Sequence, residues 1–218
     1  MQRSRSQSAR DRFVGEILGV GTREGTRIVV GVWAESPYGS FADVMVERAD
    51  GHRILLAPNR QIAEYVAATY RFDEVRVVSV EVTRGGDQVA VTAGRLSLIA
   101  KLGRRTAIGW ALHLLPDGLT ARPWFSRLSD PMARRVFPGV RTHGTAGAGR
   151  YEFYGAHDLH AVRSIVATWD GEPLGELAPV EPAPRFGFAS TPRRPGLTRL
   201  TTTVVRPGAA AGDTAVPR

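Results

Sequence analysis

Residues 139 to 171, GVRTHGTAGAGRYEFYGAHDLHAVRSIVATWDG, hold three of the chain's five histidines and two of its five tyrosines. His143, His157, His160, Tyr151 and Tyr154 are therefore the candidate catalytic side chains. An imidazole titrates near neutrality and can act as general acid, general base or metal ligand. His157 and His160 alone do not make a metal site. A third ligand would be needed, for which His143, Glu152 or Asp158 is available, and the spacing assigns no metal. Arg141 and Arg150 flank VRTHGTAGAGR, whose small residues would let backbone N–H groups approach an anion. No Lys-Ser/Thr follows the glycines, which excludes a Walker A loop. Gly144, Gly147 and Gly149 also miss the spacing of a dinucleotide loop, so a plain hairpin loop is the competing reading.

Two further places are candidates for ligand binding. Trp124 stands beside Phe125 after a proline, either as core or as a platform for a planar ligand. Arg193 and Arg194 lie between prolines in RFGFASTPRRP, where hydroxyls and guanidinium groups would suit a carboxylate or phosphate, or simply form an ordered surface loop.

What the histidines can do depends on the element that carries them. If Asp158 caps a helix, His157 and His160 fall in its first turn and can share a face. On a strand they point to opposite faces. The β-branched run VRSIVATW, ending at the Asp170-Gly171 turn, favours the strand.

The remaining segments read mostly as strands. FVGEILGV (13–20), TRIVVGVW (26–33), FADVMVE (41–47) and HRILLAP (52–58) are short and apolar, and Gly, Pro, Ser or Asp-Gly signals separate them. In the third, Phe41, Asp43, Met45 and Glu47 face one side and Ala42, Val44 and Val46 the other, so at least one face is apolar and buried. Asn59 caps a helix bearing Ile62, Tyr65, Val66 and Tyr70. DEVRVVSVEVT (73–83) and QVAVTA (88–93) form a hairpin across Gly85-Gly86-Asp87. Residues 95–115 read as two strands, with His113 half-buried and hydrogen-bonded. Asp130-Pro131 starts a second short helix through MARRVF. LTRLTTTVV (197–205) is a strand.

Composition narrows the class of molecule. A chain of 218 residues without cysteine has no disulfide and no thiolate metal site. The net charge of +8 is the excess of 28 arginines and one lysine, Lys101, over 21 acidic residues. An acidic partner, nucleic acid included, is consistent with this, but the arginines are spread rather than massed, as on an ordinary solvated surface. No apolar run approaches the roughly 20 residues that span a bilayer, so no membrane partner and a cytoplasmic location are expected.

Two resemblances follow from particular stretches. ESPYGSFADVMVERADGHRILLAP and RFGFASTPRRPGLTRLTTTVV resemble a family of proteins from GC-rich Gram-positive bacteria without an assigned activity, over most of residues 13 to 205. VRT…GRYEFY…D is similar to acetoacetate-decarboxylase-like β-rich proteins. That resemblance implies Schiff-base chemistry on a lysine, and Lys101 does not stand in a matching context, so no catalytic residue is carried over.

The expectation is a β-dominated α+β protein with a mostly antiparallel barrel- or sandwich-like core and two short helices. Residues 12–206 would form one globular domain, or two β-rich lobes meeting near 95–120, with tails at 1–11 and 207–218. Its function would be a pocket for a small anionic or polar ligand, merely bound or acted on. That pocket would gather Arg141, His143, Tyr151, Tyr154, His157 and His160 with Arg193 or Arg194. The alternatives are surface arginines on nucleic acid or an acidic protein, and a self-association module. The sequence names no cofactor and no oligomeric state.

Overall fold

The computed structural model describes residues 10–114, 143–146, 150–187 and 191–205, with side chains throughout except at 143–146, 150 and 151. The protein is a β-dominated α+β structure built on one sheet. Its strands are β1 (Arg10–Thr22), β2 (Arg27–Glu35), β3 (Phe41–Glu47), β4 (Arg53–Ala57), β5 (Glu74–Val77), β6 (Val80–Gly85), β7 (Gln88–Ala93) and β8 (Leu96–Arg105). They continue with β9 (His143–Ala146), β10 (Arg150–Trp169), β11 (Glu172–Pro173), β12 (Leu177–Ala178) and β13 (Gly196–Val205). Helix α1 (Arg60–Ala67) follows β4, and α2 (Ala107–His113) follows β8.

The strand order is β5-β4-β3-β2-β1-β13-β10-β8-β7-β6, with β9 and β11 on β10 and β12 on β1. All pairings are antiparallel except β4 with β5. β5 and β6 lie at opposite ends of that order, yet only Val78 and Ser79 separate them in the chain. Three residue steps span at most about 11 Å, so the two edges must approach each other and the sheet must curl.

Curling buries one face as the interior. Leu18, Val20, Ile28, Val30, Val44, Val46, Leu96, Leu98 and Trp169 belong to that core. The opposite face of β1, β2 and β3 is buried too, because α1 and the segment around Phe186 lie over it. This adds to what the alternation in β3 predicts. Asp43 and Glu47, on the face opposite Val44 and Val46, are only 2% and 0% exposed.

Asn59 caps α1 as predicted, its side-chain oxygen accepting the Ile62 N–H at 2.9 Å. Residues 95–115 correct the reading as two strands. β8 stops at Arg105, and Thr106 then caps α2 by accepting the Gly109 N–H at 2.9 Å. The helix lies directly on β10, since a Cβ at Gly109 would come within 2.3 Å of the Leu159 carbonyl oxygen. His113, in the last turn of α2, is exposed rather than half-buried. The helix expected from Pro131 lies outside the described residues, as do Trp124 and Arg141.

β10 is strand from end to end, which decides the histidine question against a helix starting at Asp158. Its ladder with β13 shifts register between Ala156 and Asp158, placing His157 at the irregularity. Among the described residues no helix is long and apolar enough to cross a membrane.

Candidate functional site

The cavity on the α1 side of the sheet forms where small or polar residues interrupt an aromatic layer. Cross-strand pairing sets two rows. Tyr154, Thr202 and Phe13 are neighbours across β10, β13 and β1. Ile17, Gly31 and Asp43 are neighbours across β1, β2 and β3. Trp33 of β2, Phe41 of β3, Tyr65 of α1, Tyr70 just after it and Phe186 also line it. The cavity volume is about 70 Å³.

Phe13 anchors the ring layer, with its centroid 5.6 Å from that of Trp33 and 5.4 Å from that of Tyr65. The Trp33 indole N–H donates to Asp43 Oδ1 at 3.1 Å. The other carboxyl oxygen, Oδ2, is buried without a hydrogen-bond partner among the described residues, and so is Thr202 Oγ1. Burial raises the Asp43 pKa from 3.8 to about 7, and the Trp33 hydrogen bond only partly opposes the rise.

A second polar group lies in the same wall. Tyr70 Oη and Tyr154 Oη each lie 2.9 Å from Glu152 Oε2 and 2.9 Å from each other. Two phenolic protons can serve only two of these three contacts, and the third becomes a hydrogen bond only when Glu152 carries a proton. Burial, together with the Glu152 charge, pushes the Tyr70 pKa well above the usual phenol range. Tyr70 therefore acts as a neutral donor, while Asp43 changes charge near neutrality.

Gly31 makes the Trp33–Asp43 contact possible. A Cβ there would lie 2.7 Å from both Asp43 Oδ1 and Trp33 Nε1. Gly31→Ala should force those groups apart, shift the Trp33 indole N–H resonance and cost about 1–3 kcal/mol by overpacking. An unmoved resonance with an unchanged melting temperature would refute the role given to Gly31.

The wall segment around Phe186 is held by buried charge. The Arg185 backbone N–H donates to Glu47 Oε2 at 2.6 Å and its Nε to Oε1 at 2.9 Å. Arg27 Nη2 lies 2.7 Å from the same Oε1. Burial alone would raise the Glu47 pKa, but hydrogen bonds from Arg185 and the charges of Arg27 and Arg185 outweigh it and hold the pKa below the usual range. The segment is also tied to the chain beyond α1, the Arg71 N–H donating to the Phe186 carbonyl at 2.6 Å.

Of the described side chains among the sequence candidates, Tyr154 alone lines this cavity. His157 is buried with its Nε2 2.9 Å from Thr201 Oγ1. His160 lies 3.4 Å from Asp158, whose carboxylate is held by Arg105 at 2.9 Å. It lines a separate polar cleft with Glu16, Arg84 and Arg199, where Arg84 pairs with Glu16. Arg193 pairs with Glu181 and Arg194 is exposed. His143 lies opposite Phe153 in the β9–β10 ladder, and Arg150 and Tyr151 lie opposite Ala146 and Thr145, but their side chains fall outside the described set. Among the described residues no three His, Asp or Glu side chains gather as a metal site would require.

Asp43, Trp33 and Tyr70 were not among the sequence candidates, and Glu152 was considered only as a third metal ligand. The available signal was the pairing of Phe41 and Met45 with Asp43 and Glu47 on one face of β3, a mixture that a solvated face does not need.

No protein-family model and no curated protein matches the chain. Among solved structures it is similar to acetoacetate decarboxylase from Legionella pneumophila subsp. pneumophila str. Philadelphia 1, with a TM-score of 0.40 and 12% identity over 94% of this chain and 90% of that one. A second structure, from structural studies of acetoacetate decarboxylase, gives a TM-score of 0.42 and 10% identity over 94% and 92% of the two chains. At these values the likeness carries no argument about function. Lys101, the one lysine of the sequence, is on β8 with its side chain 51% exposed and 3.9 Å from Asp87, outside the cavity lining.

Proposed function

We propose that the protein binds a compact small molecule in this cavity, largely through apolar contact, with one polar group of the ligand meeting Asp43 and Thr202. The observation that carries the reading is that two residues lining one aromatic cavity, Asp43 and Thr202, each hold a buried polar atom, Oδ2 and Oγ1, with no hydrogen-bond partner among the described residues. Leaving such atoms unsatisfied costs about 1–3 kcal/mol each, a cost that a bound polar group removes. The volume of about 70 Å³ has room for roughly five water-sized groups. Such an apolar pocket with a few convergent polar groups is the usual form of a small-molecule site.

The basic surface gives less support to a nucleic-acid or acidic-protein partner. Arg23, Arg53, Arg76, Arg84, Arg95, Arg105 and Arg193 each pair with a carboxylate.

The test follows the Trp33 indole N–H resonance while compounds of at most about eight heavy atoms are titrated. At least one should move it saturably, and Val29→Phe, which fills the cavity, should abolish the effect. If no compound moves it, or if Val29→Phe leaves the response intact, the cavity is not a ligand site.

A further inference from the structure

The lining also specifies a sign of charge. Phe13, Trp33, Phe41, Tyr65, Tyr154 and Phe186 bring aromatic rings to one small volume, and the faces of such rings attract cations through their quadrupole. The ionisable groups added to them are the carboxyls of Asp43 and Glu152 and the phenols of Tyr65, Tyr70 and Tyr154, and the described lining contains no arginine, lysine or histidine. An anion placed there would meet two carboxyl groups with no guanidinium to offset them. A cation would meet aromatic side chains and the carboxyl of Asp43.

We infer that the cavity takes a small organic ammonium, an N-methylated amine whose cationic head packs among the aromatic side chains beside the Asp43 carboxyl, which it compensates by charge rather than by a hydrogen bond. This deepens the reading of the cavity as a ligand site and depends on it. Tetramethylammonium, with five heavy atoms, suits the volume of about 70 Å³.

Proton linkage gives the inference a second signature. Empty, the buried Asp43 keeps its proton to about pH 7; a cation bound beside it stabilises the carboxylate and expels that proton. The ionisable groups around it are Glu152 and Tyr154 from β10, Tyr65 of α1 and Tyr70 just after it. Asp11 of β1 is reached through Tyr65 Oη at 3.3 Å, and Glu47 of β3 is held by Arg27 and Arg185. Tyr70 stays a phenol, and the pKa of Glu47 is below its ordinary value, so neither changes charge between pH 6 and 8.

The experiment is a calorimetric titration of the full chain with tetramethylammonium chloride, tert-butanol and sodium acetate at pH 6 and pH 8. Tetramethylammonium should bind at least tenfold more tightly than tert-butanol at pH 8 and lose about tenfold of that affinity at pH 6. Asp43→Asn should lower its affinity at least tenfold and abolish the pH dependence, leaving tert-butanol unaffected. Glu152→Gln, as a second variant, should weaken tetramethylammonium and keep the pH dependence. Equal or tighter binding of tert-butanol or acetate overturns the ammonium inference while the ligand cavity stands. If none of the three binds and the broader titration also leaves Trp33 unmoved, both readings fall.

Discussion

Glu47→Gln should destabilise the fold by about 3–5 kcal/mol, the usual cost of removing one partner from a buried ion pair. Glu47 is 0% exposed and Arg27 is 5% exposed, so neither group can turn to solvent when the other is lost. Arg27 already has one buried nitrogen, Nε, without a partner among the described residues, and a neutral amide would leave its charge uncompensated as well. Arg185, with a side chain 67% exposed, can recover hydration, so Arg185→Ala should cost far less. Urea unfolding of the two variants separates these roles. A loss below about 1 kcal/mol for Glu47→Gln would mean that the pair does not hold the sheet face together. The effect should also vary with pH. Because the folded pKa of Glu47 is depressed, its contribution is present above its ordinary pKa and is lost as pH falls through the folded value. Glu47→Gln should flatten that acid limb.

Asp43→Asn should have the opposite sign, stabilising the protein at alkaline pH. Between 3.8 and about 7 the folded chain holds a proton on Asp43 that the unfolded chain releases. Stability therefore falls as pH rises through that window, by about 1.4 kcal/mol per unit and about 4 kcal/mol over the whole of it. An asparagine does not ionise, and its oxygen can still accept the Trp33 N–H. The variant should melt well above the parent at pH 8 and nearly with it at pH 3.5. Equal melting temperatures at both pH values would show that Asp43 ionises freely in the folded protein. A residue that costs stability while facing a cavity is the pattern expected where function rather than folding has set its identity.

These two carboxylates show how far the sequence could be read. Their position on β3 was legible, because the period of two in FADVMVE sets Ala42, Val44 and Val46 on one face and Asp43 and Glu47 on the other, and its strand bounds match the structure. Their burial was not. Alternation says which residues share a face, but only the covering of that face by α1 and the Phe186 segment decides whether it is wet. The Arg27 and Arg185 partners of Glu47 are distant in the chain, and no local pattern links them.

The histidine-rich stretch shows the same limit from the other side. Its composition marked it for chemistry, yet His157 turns to Thr201 while His160 turns to Asp158. Tyr154 remained as a cavity residue because its parity on β10 sets it beside Thr202 and within reach of Tyr70.

What the sequence determined by itself was local: strand periodicity, the Asn59 cap, the turns at Asp50-Gly51, Gly85-Gly86-Asp87 and Asp170-Gly171, and with them a β-dominated fold. These depend on φ/ψ preference and side-chain alternation over a few residues. The tertiary structure alone decided the cavity, since its polar groups come from β2, β3, β10, β13 and the end of α1. The curl of the sheet and the covering of its outer face bring them together, and only burial gives Asp43 its unpartnered oxygen and its near-neutral pKa.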